Sequence, residues 1–581
     1  MLKDATDRYW DALGCARAIL FASAATLFAV PTSAQVLPGA VQPGRDRPGP
    51  ATPTTPDFDF SIVTPHRSAV PRAVDEVHFK LADIKIVGAK TIPASQFRPL
   101  YAGLIGKDVT LGDILDVADK IEAAYRARGY LLVRAYVPPQ RVRDGAFTIN
   151  IVEGYLSTVT VQGGDRGTQR LARGYLAPAT VARPLTLAPM ERGLLLTNDI
   201  PGVTASGVLR PSPDTPGASD LVVDISQPPV TGGLSLDNRG SHFSGLWTVS
   251  GDVEFNSIFG EDQLAATIVS SPDSLRQVEG TVRYRRAVGT DGLVASVIGT
   301  VTHGEPGSLL SVAGVLTDSW AAGFRLTYPL IRSRAQTLLL DGGFTAQDAT
   351  VDVSGLGHHL SHDQWRVFDI GGSYQRTGLL GGGIWTTTFD AAQGLPILGA
   401  TDDTVPGSAP PHTPVSNPSL SRFHGKTDFT KFTASTRLLL PIGGAFSTAF
   451  NLQGQYALDR LITGEQIAFG GTQIGRGYDP GAITGDHGIG GSVELRYDIH
   501  LSDSFVRSLE PYVYVDGAQS WYFKDPSLPN QTLTSVGGGV RFWLPYDLTG
   551  ALEGSHMLRA VPGSDLGRKA TKILFDLSVR F

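Results

Sequence analysis

From about Thr231 to the C-terminus the chain alternates, in short segments where every second residue is apolar, broken by Gly, Asp, Asn and Ser. The last segment is the clearest. Ile573, Phe575, Leu577, Val579 and Phe581 share one face, while Lys572, Asp576, Ser578 and Arg580 share the other, with Leu574 the exception. One face suits hydrocarbon and the other water. Val249 to Phe255 and Phe432 to Leu438 repeat the pattern. Tilted strands of about ten residues cross a bilayer, and about 350 residues at roughly 22 per strand and connection predict a transmembrane antiparallel β-barrel of about 16 strands. Closure is required, because an open sheet edge in hydrocarbon would leave backbone groups unpaired at several kcal/mol each. No apolar run beyond the N-terminal segment has the roughly 20 residues of a transmembrane helix. A soluble propeller would show a blade-like repeat, and none is present.

Before the alternating region the periodicity changes. Phe79 to Val87 predicts a strand. Thr110 then caps a helix whose apolar residues Leu111, Ile114, Val117, Ala118, Ile121 and Tyr125 recur at helical spacing, with Gly129 after its end. Leu131 to Val137 and Ala146 to Val152 predict two strands around an Asp144-Gly145 turn. A second α/β unit follows, with strands at Leu156 to Gln162 and Leu221 to Ile225 and a helix at Pro189 to Thr197. Pro228-Pro229 marks its end. The expected organisation is an export signal at 1–34, a Pro-rich tether at 35–76, α/β modules at 77–154 and 155–228, and the barrel at 229–581.

The export signal rests on the apolar run Ala18 to Val30 and the small residues Thr32-Ser33-Ala34 before Gln35. The tether is rich in Pro, Gly, Thr and Ser, so it predicts a semi-rigid extended spacer with no core of its own; its prolines disfavour a helix. The net charge of −6 and 18% charged residues make nucleic acid an unfavourable partner. The one cysteine, Cys15, falls in the signal, so the mature chain is expected to hold no disulfide or Cys-metal site.

Chemistry-bearing motifs are few. Gly425-Lys426-Thr427 ends like a phosphate-binding loop, but Leu420 stands where the first Gly is required and no helix pattern follows. His358, His359, His362 and Asp363 form a metal-like cluster, but without the paired glutamate of a zinc protease, and flanking glycines predict a solvated loop. No metal, cofactor or enzymatic activity is expected. The remaining stretch, Phe469 to Ile499, carries a Gly-rich run with Gly475-Arg476-Gly477-Tyr478 at its centre. It is too polar for a core, and an Arg at the tip of a folded-back loop would need an acceptor.

Tyr125-Arg-Ala-Arg-Gly129-Tyr130, Val137-Pro-Pro-Gln140 and Val152-Glu153-Gly154, in that order and spacing, resemble the polypeptide-transport-associated (POTRA) domain of the two-partner secretion outer-membrane transporters, of the haemolysin secretion/activation type in the Omp85 superfamily. Asn198 to Val203, Leu236 to Ser241, Asn256 to Leu264 and Tyr328 to Arg334 continue the likeness into the barrel. The resemblance implies two periplasmic POTRA domains and a barrel in the bacterial outer membrane. It also implies a large secreted client of adhesin, haemolysin or toxin type, which is captured unfolded and passed through the lumen. Arg476, Gly477 and Tyr478 match the family's lumen-loop tip, and Asp516 matches its acidic partner on an inner-wall strand. Ala518 and Gly475 depart from the family pattern. The terminal Phe581 resembles the assembly signal of bacterial outer-membrane proteins, so lipid and the barrel-assembly machinery are expected partners. The alternative is an outer-membrane assembly insertase of the same superfamily.

Overall fold

The computed structural model describes residues 59–62, 78–142, 144–213, 215, 217–272, 276–354, 359–407, 414–501, 505–526, 528–561 and 570–581. The expected export signal with Cys15, the rest of the tether and His358 lie outside the described residues.

In the first module the helix Leu111–Arg126 starts where expected, and its cap is reciprocal. The Thr110 side chain accepts from the Asp113 backbone NH at 3.2 Å, and the Asp113 carboxylate accepts from the Thr110 NH at 2.8 Å. Its apolar stripe, Ile114 to Tyr125, is buried against a sheet ordered Asp83–Val87, Ala146–Glu153, Val133–Tyr136. The strand expected at Phe79 to Val87 is two. His78–Lys80 pairs with Asp108–Thr110, while Asp83–Val87 joins the main sheet. The chain changes sheets at Leu81, whose fully buried side chain must turn inward and whose NH donates to Lys107 O at 3.0 Å.

The second module contains Tyr155–Gly163, helices Arg166–Val181 and Leu187–Asn198, and strands Thr204–Pro211 and Ala218–Ser226. Two of these elements, Arg166–Val181 and Thr204–Pro211, are not in the sequence reading. Gly167, Gly174 and Pro178 hide the helix, which is started by the Asp165 carboxylate accepting from the Gly167 and Thr168 NH groups. The tether also departs from the expected spacer. Asp59–Ile62 pairs in parallel with the outer edge of Thr204–Pro211, and Phe60 lies against the module's core.

The barrel has sixteen strands, from Val230–Asp237 to Thr571–Arg580, all antiparallel, with the twelfth interrupted at Asp498 between His487–Tyr497 and Ile499–His500. Exposed apolar side chains such as Leu234, Ile268, Val297, Ile370, Val513 and Ile573 band its outside. Leu574, the exception in the last strand's alternation, is buried inside. No helix among the described residues is long and apolar enough to cross a membrane. The barrel closes between its first and last strands over five residue pairs, Gly233 with Arg580 through Asp237 with Asp576, extended by reciprocal backbone bonds of 3.0 Å between Gly232 and Phe581. Strands six to eight, Val315–Arg332, Gln336–Val353 and His359–Leu379, are the longest.

Candidate functional site: the knot inside the barrel

The segment joining strands Phe446–Ala457 and His487–Tyr497 forms a hairpin of its own, Ile467–Phe469 against Ile483–Gly485. Gly470, Gly471 and Gly475 all have positive φ, and the chain between the hairpin arms doubles back through Gly470 NH to Ile474 O at 3.0 Å and Tyr478 NH to Gly475 O at 2.9 Å. At Gly475, with φ +82°, a Cβ would stand 2.9 Å from Leu533 Cδ1, so only glycine fits that turn against the wall.

This stretch is not the non-core run its polarity predicts. Phe469, Ile474 and Tyr478 are buried with Ala518, Leu533 and Met557 of the barrel wall. The glycines free the backbone to turn these three apolar side chains toward one surface. The Tyr478 hydroxyl lies 2.6 Å from Arg559 O and 2.9 Å from Thr534 O, so its single proton has an acceptor either way.

Arg476 is buried, with 7% of its side chain exposed. Its Nη1 donates to Glu494 Oε2 at 2.7 Å, its backbone NH donates to Asp516 Oδ2 at 3.1 Å, and its Nε lies 3.5 Å from that same oxygen. Glu553 Oε2 is a third acidic neighbour at 3.5 Å from Nη1, and the guanidinium lies 3.4 Å above the Tyr514 ring centroid. Each carboxylate is held from behind. Glu494 accepts from Arg496 at 2.7 Å and Arg541 at 2.8 Å, Asp516 from the Ser535 hydroxyl, and Glu553 from Tyr512 at 2.7 Å. Gly477 NH donates to Ser535 Oγ at 3.3 Å. Just past the tip, Asp479 pairs with His242 at 3.0 Å, after the first strand, and with Lys572 on the last.

Asp516 is the acidic partner expected from the sequence, whereas Glu494, Glu553 and Tyr514 are not among those expectations. Their signal is strand parity: Val493 and Leu495 are exposed outside, so Glu494 points in, and exposed Leu552 turns Glu553 inward likewise. The described residues of the histidine cluster lie at the start of strand His359–Leu379 rather than in the solvated loop its glycines predict, and a register shift at Val351 and Asp352 sets His359 and His362 on the face opposite Asp363. His362 pairs with Asp348 at 3.0 Å and His359 with Asp352 at 2.6 Å, while the neighbouring Asp363 is buried and accepts from Ser421 NH. Among the described residues no group of three or more His, Cys, Asp or Glu is placed to hold a metal. Lys426 of the Gly-Lys-Thr segment is ion-paired with Asp459 at 3.3 Å. Phe581 lies exposed at the seam described above.

The other surface of interest is the outer edge of the second module. Among the described residues the outer edge of strand Thr204–Pro211 is paired only with Asp59–Ile62 of the tether, and the loop before it lines a cavity of about 880 Å³ at the barrel mouth.

Comparisons with known proteins bear on the family and the fold. The model for haemolysin secretion/activation proteins of the ShlB/FhaC/HecB type matches residues 217–542, and the ShlB-type POTRA domain matches 79–154. The heme/hemopexin transporter protein HuxB of Haemophilus influenzae (strain 86-028NP) is 23% identical over 80% of this chain and 81% of its own. The outer membrane transporter CdiB of Escherichia coli O6:K15:H31 is 22% identical over 80% and 76%. Among solved structures, CdiB from Escherichia coli aligns with a TM-score of 0.64 at 20% identity, covering 89% of this chain and 93% of that one. BamA from Haemophilus ducreyi aligns at 0.53 and 13% identity, covering 87% and 100%. At these identities the solved structures show the shared fold.

Proposed function

Because the chain belongs to the haemolysin secretion/activation protein family of the ShlB/FhaC/HecB type, we propose that it exports one large secreted partner across the outer membrane and that the Arg476 knot gates the path. The observation that supports the gate is a buried cation at a loop tip inside the lumen, among three carboxylates contributed by three different strands. A loop held this way blocks the lumen in one conformation, because leaving it would strand a buried charge.

Capture comes first. An unfolded client has free backbone donors and acceptors, so it adds as an extended strand to a sheet edge and gains main-chain bonds with little demand on side chains. The edge of Thr204–Pro211 has the required form, since Asp59–Ile62 already uses it that way; the client displaces these four residues. It then passes the mouth cavity, the knot releases, and folding outside the cell draws the chain through. No step is covalent, and no cofactor, metal, nucleotide or nucleic acid takes part. The apolar outer band sits in outer-membrane lipid, and the Phe581 end is what the barrel-assembly machinery reads during biogenesis.

For the client we propose a large secreted protein of adhesin, haemolysin or toxin type, the three classes that the family resemblance leaves open. The insertase alternative has only the fold-level likeness to BamA behind it, whereas the curated relatives are named as transporters. The test is mass spectrometry of culture medium and outer membrane with and without this gene. One large protein missing from the medium, with other barrels intact, is expected and names the client. A joint fall of many outer-membrane proteins would instead assign the insertase role.

A further inference from the structure

We propose that Asn198 and Asp199 are positioning residues that fix the client-receiving edge of the second module over the lumen mouth, an inference that rests on the transporter reading above. Arg332 ends the sixth barrel strand, Val315–Arg332, and its side chain is 4% exposed. Its Nε and Nη2 each donate to one carboxylate oxygen of Asp199, both at 2.7 Å, while Nη1 donates to Thr337 Oγ1 at 3.0 Å on the next strand. A planar two-bond pair sets orientation as well as distance, and here the barrel fixes the plane.

The preceding residue carries that orientation to the edge strand. Asn198 Nδ2 donates to Ala205 O at 3.0 Å and Ala205 NH donates to Asn198 Oδ1 at 2.7 Å. The amide therefore takes both outward backbone groups of Ala205, and the edge open to another strand begins at Ser206, where the tether pairs. Two neighbouring residues thus link barrel wall, loop and sheet edge without a flexible joint. Further contacts hold the module in the same seat. Arg192 Nη2 donates to Pro329 O at 2.9 Å, Arg334 NH donates to Glu191, and the Ser257 hydroxyl donates to Asp165 at 2.7 Å. Asp199 and Arg332 both line the mouth cavity.

The consequence is kinetic. A segment captured on Ser206 to Leu209 is presented to the lumen at one position, where a loosely tethered module would spread it through a large volume and lower its effective concentration at the mouth. The link leaves the edge itself unchanged, so breaking it separates capture from export.

The test uses the full chain in the outer membrane. The probe is the protein whose disappearance from the medium marks deletion of this gene. Pulsed electron paramagnetic resonance between spin labels at Arg210 and Asp547 reads the module's seat. Asp199→Arg and Arg332→Asp are each expected to lower export at least about tenfold and to broaden the distance distribution, with the heat-modifiable folded barrel at its usual level. The double charge swap restores both. Asp199→Asn, which changes only the module side, gives a partial loss of export with the same broadening and serves if the barrel variant fails to assemble. Full export by either single variant, lost export with an unbroadened distribution, or a folded double variant that does not recover export would each overturn the proposal. If deletion of the gene leaves the medium unchanged, the transporter reading fails and the positioning role falls with it, even where the labels show the seat to be real.

Discussion

At the scale of the residue, burial decides what a charge does. Arg476 has three carboxylates for company, and removing it would leave them facing one another in a poorly solvated space, a cost on the order of 3–5 kcal/mol. Arg476→Ala is therefore expected to leave a folded, inserted barrel and to stop export; an unchanged level of the secreted client in the medium would refute the gate. Glu153, outside the membrane, shows the opposite balance. Burial alone would raise its pKa, but the Thr91 backbone NH at 2.8 Å, the Thr91 and Tyr125 hydroxyls at 2.7 Å and the Lys90 NH at 2.9 Å together hold the carboxyl below its ordinary value. Its stabilising effect is present above the unfolded pKa of about 4.3 and drains away as pH falls through the lower folded value. The same contact, with burial the larger cause, pushes the Tyr125 phenol up. Glu153→Gln is expected to lower the first module's thermal transition at pH 7, by a margin that shrinks as pH falls toward and below the depressed folded pKa. Parallel curves across that range would show that the carboxylate contributes nothing.

Individual elements follow local pattern except where tertiary partners supply what the pattern lacks. The capped helix Leu111–Arg126 is legible because cap, periodicity and terminating glycine agree. Asp59–Ile62 is not, since four residues in a Pro-rich spacer become a strand only when a sheet edge offers hydrogen bonds and a core offers a seat for Phe60. Deleting residues 59–62 is expected to expose the backbone of Ser206 to Leu209, seen as faster amide exchange there by mass spectrometry. Equal protection in both proteins would show that the tether strand does not cover the edge in solution.

In the whole molecule the barrel depends on one seam. Five pairs close it, and the Phe581 backbone adds two bonds to Gly232. Removing Phe581 is expected to lower the amount of folded, heat-modifiable barrel in the outer membrane several-fold, by loss of both the closing bonds and the terminal signal. A variant that accumulates normally would assign the residue neither role.

Residue order alone dictates whatever depends on neighbours along the chain. A two-residue period with turns between predicts membrane-crossing strands, hydrocarbon forces their closure, and the even count near sixteen follows from length. Parity along each strand also determined which acids point inward, so Glu494 and Glu553 were within reach of the same argument that turned Asp516 to the lumen. Which of those inward groups meet depends on how the whole chain folds. Arg476 is 18, 40 and 77 residues from Glu494, Asp516 and Glu553, yet barrel curvature and a glycine-rich fold bring all four together. Distance along the chain carries no information about that meeting, because its geometry is set by closure of the whole sheet.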